Sequence, residues 1–342
     1  MARLKVPAVI ALIFLMSMLT GCVNEKGFTV GISNGYIGNN WRTQMLEDIQ
    51  DGLEEYKQQG LIDKVIIQNA GLDINNQIVQ IRNMINSNVD LLMIDPNSET
   101  SLNPIIEEAH KKGIPVIAFD QPVSSPYAIN VVIDQQKWGE NLAQWLCEKL
   151  NGKGTIIIMQ GLKGHPANEN RMIGIERVLK RYPDIKVLDS VNANWDQANA
   201  QRVMADLIYT HPDIDGILTQ DGMALGIVRA YNTVKRPLPV MTGETMVGFL
   251  RTWKTLKNAS SFTSFGQNNP PGISRTALDI AMRILQGGKL KPLPDNTFYY
   301  PVKDLVVNDN LDSYIEKNAD RLDTYFLDEW LDSKELDALF EK

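Results

Sequence analysis

Two rhythms of apolar residues alternate along this 342-residue chain. Short runs rich in Val and Ile, at 28–33, 64–70, 91–94, 115–120 and 129–133, have the length and composition of buried β-strands. Between them apolar residues recur at every third or fourth position. Met45, Ile49, Leu53 and Tyr56 form one stripe, Ile78, Ile81 and Ile85 a second, and Leu102, Ile105 and Ala109 a third, which predicts amphipathic helices. The alternation restarts at 155–160 and continues through strands at 186–191, 216–220, 240–242 and 262–265. Strands alternating with helices require right-handed crossovers and parallel sheets. Two runs of about five strands each predict two similar lobes rather than one very wide sheet. The fold class is therefore α/β: two lobes, each a parallel sheet flanked by helices, duplicated in architecture and not residue by residue.

One apolar stretch fits neither rhythm. Residues 6–18 follow Arg3 and Lys5, are almost wholly apolar, and lead into Leu19-Thr20-Gly21-Cys22. The stretch is shorter than the roughly 20 residues of a membrane span and has the order of an export signal: basic start, apolar middle, small residues before the cut. It resembles the lipobox of bacterial lipoproteins, which implies removal of 1–21, lipidation of Cys22 as the first mature residue, and anchorage to a membrane. The plainer alternative is a secretory signal with an incidental cysteine; both readings export the protein. Net charge is −7 with no basic run, which argues against nucleic acid and anionic headgroups as partners. Cys147 is the only other cysteine, so with Cys22 lipidated no disulfide is expected, and the core alone must supply stability.

Ligands of open parallel sheets bind beyond the carboxyl ends of the strands. The residues at those ends are strongly polar. Ser33, Asn39, Trp41 and Arg42 follow the first strand, and Asp120 and Gln121 the fourth. In the second series Arg171 opens the helix after 155–160, Trp195 and Asp196 follow 186–191, Asp221 follows 216–220, Glu244 follows 240–242, and Gln267 follows the last strand. Asp, Asn, Gln and Arg offer the paired donors and acceptors that match vicinal hydroxyls. Trp41 and Trp195 suit the C–H faces of a flat ring. Taken singly, Trp41 reads equally as core, Arg42 as a solvated helix start, and Asp120 or Asp221 as helix caps. Recurrence at corresponding positions of both series is what points to a cleft that grips a monosaccharide.

At this point the mature chain resembles the ribose-type family of periplasmic sugar-binding proteins, the receptors of ABC importers. The matching segments are Gly31-Ile32-Ser33 with Asn39-Asn40-Trp41-Arg42, Gly113-Ile114-Pro115-Val116-Ile117-Ala118-Phe119-Asp120, and Gln160-Gly161 with Asn170-Arg171. His211-Pro212-Asp213, Gln220-Asp221-Gly222-Met223-Ala224-Leu225-Gly226 and Ser264-Phe265-Gly266-Gln267 follow in the same order. The resemblance implies that Asn39, Trp41, Asp120, Arg171, Trp195, Asp221 and Gln267 contact the sugar. It also implies a type I periplasmic-binding-protein fold whose lobes close about a hinge of three crossings, near Ile133, Gln267 and Asn296, and an ABC permease as partner. Gln121 stands where ribose binders carry arginine, Arg42 where they carry phenylalanine, and Glu244-Thr245 where Phe-Asp is expected. One residue is missing beside Asp221, which leaves both Gln220 and Asp221 as candidates for that contact.

The expected division is 1–22 as signal, 28–133 with 268–297 as the N-terminal lobe, and 134–267 with 298–342 as the C-terminal lobe. Residues 308–342 are expected to be a helical extension docked on the second lobe through Tyr314, Leu322, Phe326, Trp330 and Leu339. Three dispersed histidines, His110, His165 and His211, lack metal-ligand spacing, and no nucleophile elbow or phosphate loop occurs. No catalytic residue, metal or cofactor is expected, and the protein is expected to act as a monomer. The alternatives are a receptor for a signalling furanose, a sensor subunit, or a glycosidase using Asp120 and Asp221 as its two carboxylates. A sugar-responsive transcription regulator of similar core is opposed by the export signal and by the lack of a helix-turn-helix segment.

Overall fold

The computed structural model describes residues 27–303 and 305–341; the expected signal and Cys22 lie outside these residues. The first lobe runs β1 (Phe28–Asn34), α1 (Asn40–Gln58), β2 (Ile62–Asn69), α2 (Ile74–Asn86), β3 (Leu91–Ile94), α3 (Asn103–Lys111), β4 (Val116–Asp120) and β5 (Ala128–Val132). The second runs α4 (Gln135–Lys149), β6 (Gly154–Gln160), α5 (Pro166–Leu179), β7 (Ile185–Asn192), α6 (Gln197–Thr210), β8 (Gly216–Thr219), α7 (Ala224–Val234), β9 (Val240–Gly243), α8 (Val247–Ala259) and β10 (Ser264–Gln267). After these come α9 (Ile273–Leu285), β11 (Thr297–Tyr299), β12 (Leu305–Val306), α10 (Leu311–Lys317) and α11 (Ser333–Asp337).

The strand orders are β11-β5-β4-β3-β1-β2 and β12-β10-β9-β8-β6-β7, so two six-stranded sheets repeat one topology. Every pairing is parallel except β10 with β12. The two-lobed α/β fold predicted from the alternation is borne out, and all ten predicted strands are present with ends displaced by at most two residues. The sixth strand of each sheet, β11 or β12, is too short to leave an apolar rhythm.

Continuous apolar runs arise because each central strand feeds two cores. In β4, Ile117 and Phe119 join Met45 and Ile49 of α1 and Leu278 and Ala281 of α9, while Val116 and Ala118 join Ile81 and Ile85 of α2 and Ile105 of α3. In β6, Ile156 and Ile158 meet Leu142 and Leu146 of α4, while Ile157 and Met159 meet Met204 of α6 and Ile227 of α7. Alternation of side chains across the pleat sorts the residues. Cys147 is free and buried. No helix among the described residues is long and apolar enough to cross a membrane.

The chain passes between the sheets after Val132, after Gln267 and between Tyr300 and Leu305. The third passage lies beyond the expected Asn296, because Thr297, Phe298 and Tyr299 still pair with Asn130, Val131 and Val132 of β5. Residues 298–300 therefore belong to the first lobe. The C-terminal segment also departs from expectation. Only α10 and α11 are helical in it, and Leu322 and Trp330 are 76% and 49% exposed.

Nor does it stay on the second lobe. α10 packs on α8, with Lys254 and Asp312 paired at 2.8 Å. Residues 323–327 are then tied to the start of α8: Gly248 N donates to Asp323 O, Val247 N to Tyr325 O at 2.8 Å, and Leu327 N to Thr245 O at 3.0 Å. From there the chain crosses to α1 and α9. Gln44 Nε2 donates to Phe326 O at 3.1 Å while its Oε1 accepts from Phe326 N at 2.9 Å. Gly272 N donates to Asp328 Oδ1, Leu331 N to Thr276 Oγ1, and Phe340 bridges Leu290. This is a fourth passage between the lobes, running beside the second.

Under it the carboxyls of Asp48 on α1 and Asp328 meet. Burial, with Asp328 alongside, pushes the Asp48 carboxyl up to about 9, and burial raises Asp328 too. A folded-state value above that of the unfolded chain, about 3.9, means that the folded protein holds the extra proton in between. Its contribution is full below about 3.9 and is lost as pH rises toward 9. Melting curves should fall by a few degrees from pH 6 to pH 9, and Asp48→Asn, which keeps a donor to Asp328 without the charge, should remove most of that fall. An equal fall in both proteins would exclude a shared proton under the strap.

Candidate functional site

The carboxyl ends of both sheets enclose a cavity of about 280 Å³. Its wall includes Asn39, Trp41, Arg42, Asp120, Gln121, Arg171, Trp195 and Asp221 of the residues expected from the sequence. Ser33, Glu244 and Gln267 do not reach it. Ser33 lies inside β1, which runs one residue further than expected, paired to Ile94 and Gln68. Glu244 is buried near the backbone N–H groups of Gly222, Met223 and Ala224, and neither of its carboxyl oxygens is hydrogen-bonded to them. Burial and nearby Asp221 push its carboxyl up to about 8 against those groups. Gln267 is held in the β10–β12 ladder opposite Leu305.

Arg42 organises the first-lobe wall. It lies in the first turn of α1, where the helix dipole disfavours a cation, and Asn39 caps that turn by accepting from Arg42 N at 2.9 Å. Its guanidinium compensates elsewhere: Nη1 donates to Asp95 Oδ2, Nη2 lies 3.1 Å from Asp120 Oδ2, and the group sits over the Tyr36 and Trp41 rings. These carboxylates hold Arg42 firmly charged despite burial. Burial outweighs the guanidinium at Asp95 and, with Asp120 adding to it, leaves that carboxyl above the usual range. Gln121 Nε2 donates to Asp120 Oδ2 at 3.0 Å.

Arg171 does the same in the second lobe, from the second turn of α5 rather than its opening. Nη1 meets Asp221 Oδ2 at 2.8 Å, Nε donates to Gln135 Oε1 at 2.7 Å, and the guanidinium carbon lies 3.8 Å from the centre of the Trp138 ring. α5 can approach α4 this closely because residue 174 is glycine; a Cβ there would lie 2.0 Å from Gln136 O. Of the two candidates Gln220 and Asp221, only one faces the cavity. Asp221 is on the wall, whereas Gln220 Oε1 accepts from Trp195 Nε1 at 3.0 Å and its Nε2 donates to Asn168 Oδ1 at 3.0 Å. Gln220 thus fixes the Trp195 ring, which also lies flat against Gly161, where a Cβ would fall 2.0 Å from the indole.

Trp195 and Asp120 both have left-handed backbone, φ 54° and 62°. Such conformations cost about 1–3 kcal/mol each and gather at functional sites. Polar atoms at or beside the wall have no protein partner: Asp120 Oδ1, Gln121 Oε1, Asp95 Oδ1, Gln135 Nε2 and Asn269 Oδ1. The two tryptophans nearest the crossing anchor it, Trp41 Nε1 donating to Asn269 O at 2.6 Å and Trp138 Nε1 to Asn268 O at 3.2 Å.

The sequence missed Asp95, Tyr36, His165, Met246, Asn269 and Phe326. Asp95 follows β3 directly and obeys the strand-end rule used for its neighbours. Tyr36 stands in the turn between β1 and α1, and His165 at the cap of α5 before Pro166; a search of histidines for metal spacing passes over a wall position. Phe326 reads from the sequence only as a packing residue of the C-terminal segment, and nothing local marks it as a wall position, since its partner Gln44 is 282 residues away.

A two-lobed α/β body with hydrogen-bonding and aromatic side chains of both lobes around one cleft has the architecture of a solute-binding protein. The chain belongs to the periplasmic binding protein family, whose domain model matches residues 30–289. It is 32% identical over 273 residues to a xylitol-binding protein of Mycolicibacterium smegmatis, covering 78% of this chain and 75% of that one. It is 27% identical to the ribose import binding protein of Bacillus subtilis, covering 78% and 85%. An ABC transporter solute-binding protein from Thermobispora bispora superposes with a TM-score of 0.79 at 27% identity, covering 89% of this chain and 92% of that one. The family resemblance drawn from the motifs is borne out.

His165 ties the two walls together. Its Nδ1 accepts from Ala167 N at 3.3 Å, and its Nε2 lies 3.4 Å from Arg42 Nη2, a group that can only donate. Burial, Arg42 and Arg171 hold its pKa well below the ordinary value. The unfolded chain takes up this proton near 6.5 and the folded one only far below, so stability is lost as pH falls under about 6.5. His165→Gln should flatten the melting temperature between pH 6.5 and pH 4.5 relative to the parent; an unchanged slope would show that the imidazole is free to charge in place.

Proposed function

We propose that this chain is the exported binding subunit of an ABC importer, which captures one monosaccharide or sugar alcohol between its lobes and hands it to a membrane permease. The observation that carries this reading is the pair of buried arginine–carboxylate sets, one from each lobe, facing one small cavity beside polar atoms without protein partners. Oxygen acceptors, amide groups and fixed guanidinia match the alternating donors and acceptors of a polyol, and Trp41 and Trp195 offer faces to its C–H bonds. The cavity is at the small end of ligand pockets, which suits one ring or a short polyol chain. The names of the relatives support the same class of ligand. Asp120 and Asp221 each commit an oxygen to an arginine, an arrangement suited to holding hydroxyls rather than to cleaving a glycosidic bond.

In this reading Asn39, Trp41, Arg42, Asp120, Gln121, Arg171, Trp195 and Asp221 contact the ligand. Ser33, Glu244 and Gln267 act from behind the wall. The lobes close by rigid-body rotation about their crossings. The monomeric body is held near the membrane through lipid on Cys22.

Thermal unfolding of residues 24–342 against pentoses, hexoses, pentitols, hexitols and furanose signals tests the proposal. A ligand at a thousand times its Kd adds about 4 kcal/mol, a rise of several degrees in Tm. Arg171→Ala and Asp221→Ala should each weaken the best ligand by about 10- to 100-fold, since a buried hydrogen-bonding group left unmatched costs about 1–3 kcal/mol. No shift with any sugar or polyol would sink the assignment.

A further inference from the structure

We infer that the fourth passage between the lobes sets the length of ligand the cavity accepts, with Phe326 as its stop; this deepens the proposed function and rests on it. Thr324 and Phe326 are part of the cavity wall although they come from the C-terminal segment, outside the residues 30–289 matched by the family model. Phe326 is 2% exposed and shares one apolar cluster with Trp41 and Met246, which also line the cavity. Met246 and Phe326, paired with each other, make an apolar part of the wall, and Trp41 is a third apolar lining residue. The charged and amide groups come from elsewhere: Arg42, Asp120 and Gln121 on one lobe, Arg171 and Asp221 on the other.

A hydroxyl or substituent carried into Trp41, Met246 and Phe326 loses water without gaining a partner, whereas a bare C–H end loses nothing. The stop is also rigid. Both polar groups of the Phe326 backbone are engaged by the single side chain of Gln44, itself 6% exposed, and the residue forms an antiparallel bridge with Met246. Gln44 Nε2 reaches Asp328 Oδ2 as well, at 3.1 Å, and Asp328 Oδ1 accepts from Gly272 N at 2.7 Å. The ring is therefore fixed from both lobes at once, on a segment the strand-end rule does not reach.

The test is a comparison of ligand ranking by calorimetry in the parent, Phe326→Ala, Phe326→Leu and Gln44→Ala. The panel pairs each pentose or pentitol with its one-carbon homologue and with its methyl glycoside or methyl ether. One methylene in an apolar pocket is worth about 10- to 200-fold in discrimination. Phe326→Ala should weaken the parent's best ligand and shift the ratio of longer to shorter partner by at least tenfold toward the longer. Phe326→Leu, which keeps most of the packing and serves if the alanine protein does not fold, should shift it in the same direction by less. Gln44→Ala, which leaves the ring and frees its backbone, should relax the ranking without reversing it. Leu322→Ala, at an exposed site of the same segment, should leave the ranking as in the parent. Folded Phe326 variants that bind with the parent's ranking would overturn the inference while leaving the binding function standing. A parent that binds nothing in the panel would overturn the function itself.

Discussion

Two guanidinium groups buried between the lobes set the terms for the rest of this structure. Removing a charge from water costs several kcal/mol unless partners of opposite charge and satisfied hydrogen bonds await it. Arg42 and Arg171 are 3% and 2% exposed. Each is met by carboxylates presented at strand ends, Asp95 and Asp120 for one and Asp221 for the other, and each is covered by an aromatic face. Replacing such pairs by apolar residues often stabilises a protein, so stability alone does not account for them. The parallel sheets make the arrangement possible, because they deliver several loop starts to one edge with their backbone already fixed.

What was legible in the sequence follows from periodicity and from that edge rule. Strands buried on both faces produce unbroken apolar runs, so β3 is legible in the sequence with its observed bounds and β4 nearly so. The strand-end rule found Asp120, Asp221 and Trp195 because each sits within a few residues of a strong run. It failed in two physical ways. Ser33 and Gln267 lie within strands that run one and two residues past their expected ends, so their backbone belongs to the ladder and not to the loops beyond it. Phe326 and the strands β11 and β12 depend on partners far away in the chain, and segments of two or three residues carry no period.

The lobes are built not to deform at the site. Left-handed backbone at Trp195 and Asp120 persists only where surroundings over-determine it, and Trp195 is fixed by Gln220, Gly161 and the edge of the His165 ring, 5.1 Å away. Close packing of α4 on α5 fixes Arg171 in the same manner. At the second passage between the lobes the main chain of Asn268 and Asn269 is gripped by one tryptophan from each lobe.

The fourth passage obeys the same economy. A strap across the open mouth of a cleft would have to break its contacts whenever the lobes part. This one instead lies against Thr245, Gly272 and Gln44, next to the second crossing, where the proposed rotation would displace atoms least. Its attachment to α8 is by main-chain hydrogen bonds, and its attachment to α1 is by the side chain of Gln44 and the meeting of Asp48 with Asp328. Side-chain contacts tolerate small rotations that a main-chain ladder does not. Under the proposed rigid-body rotation the strap would keep Phe326 at the cavity throughout, which a residue carried on only one lobe and facing the other cannot do.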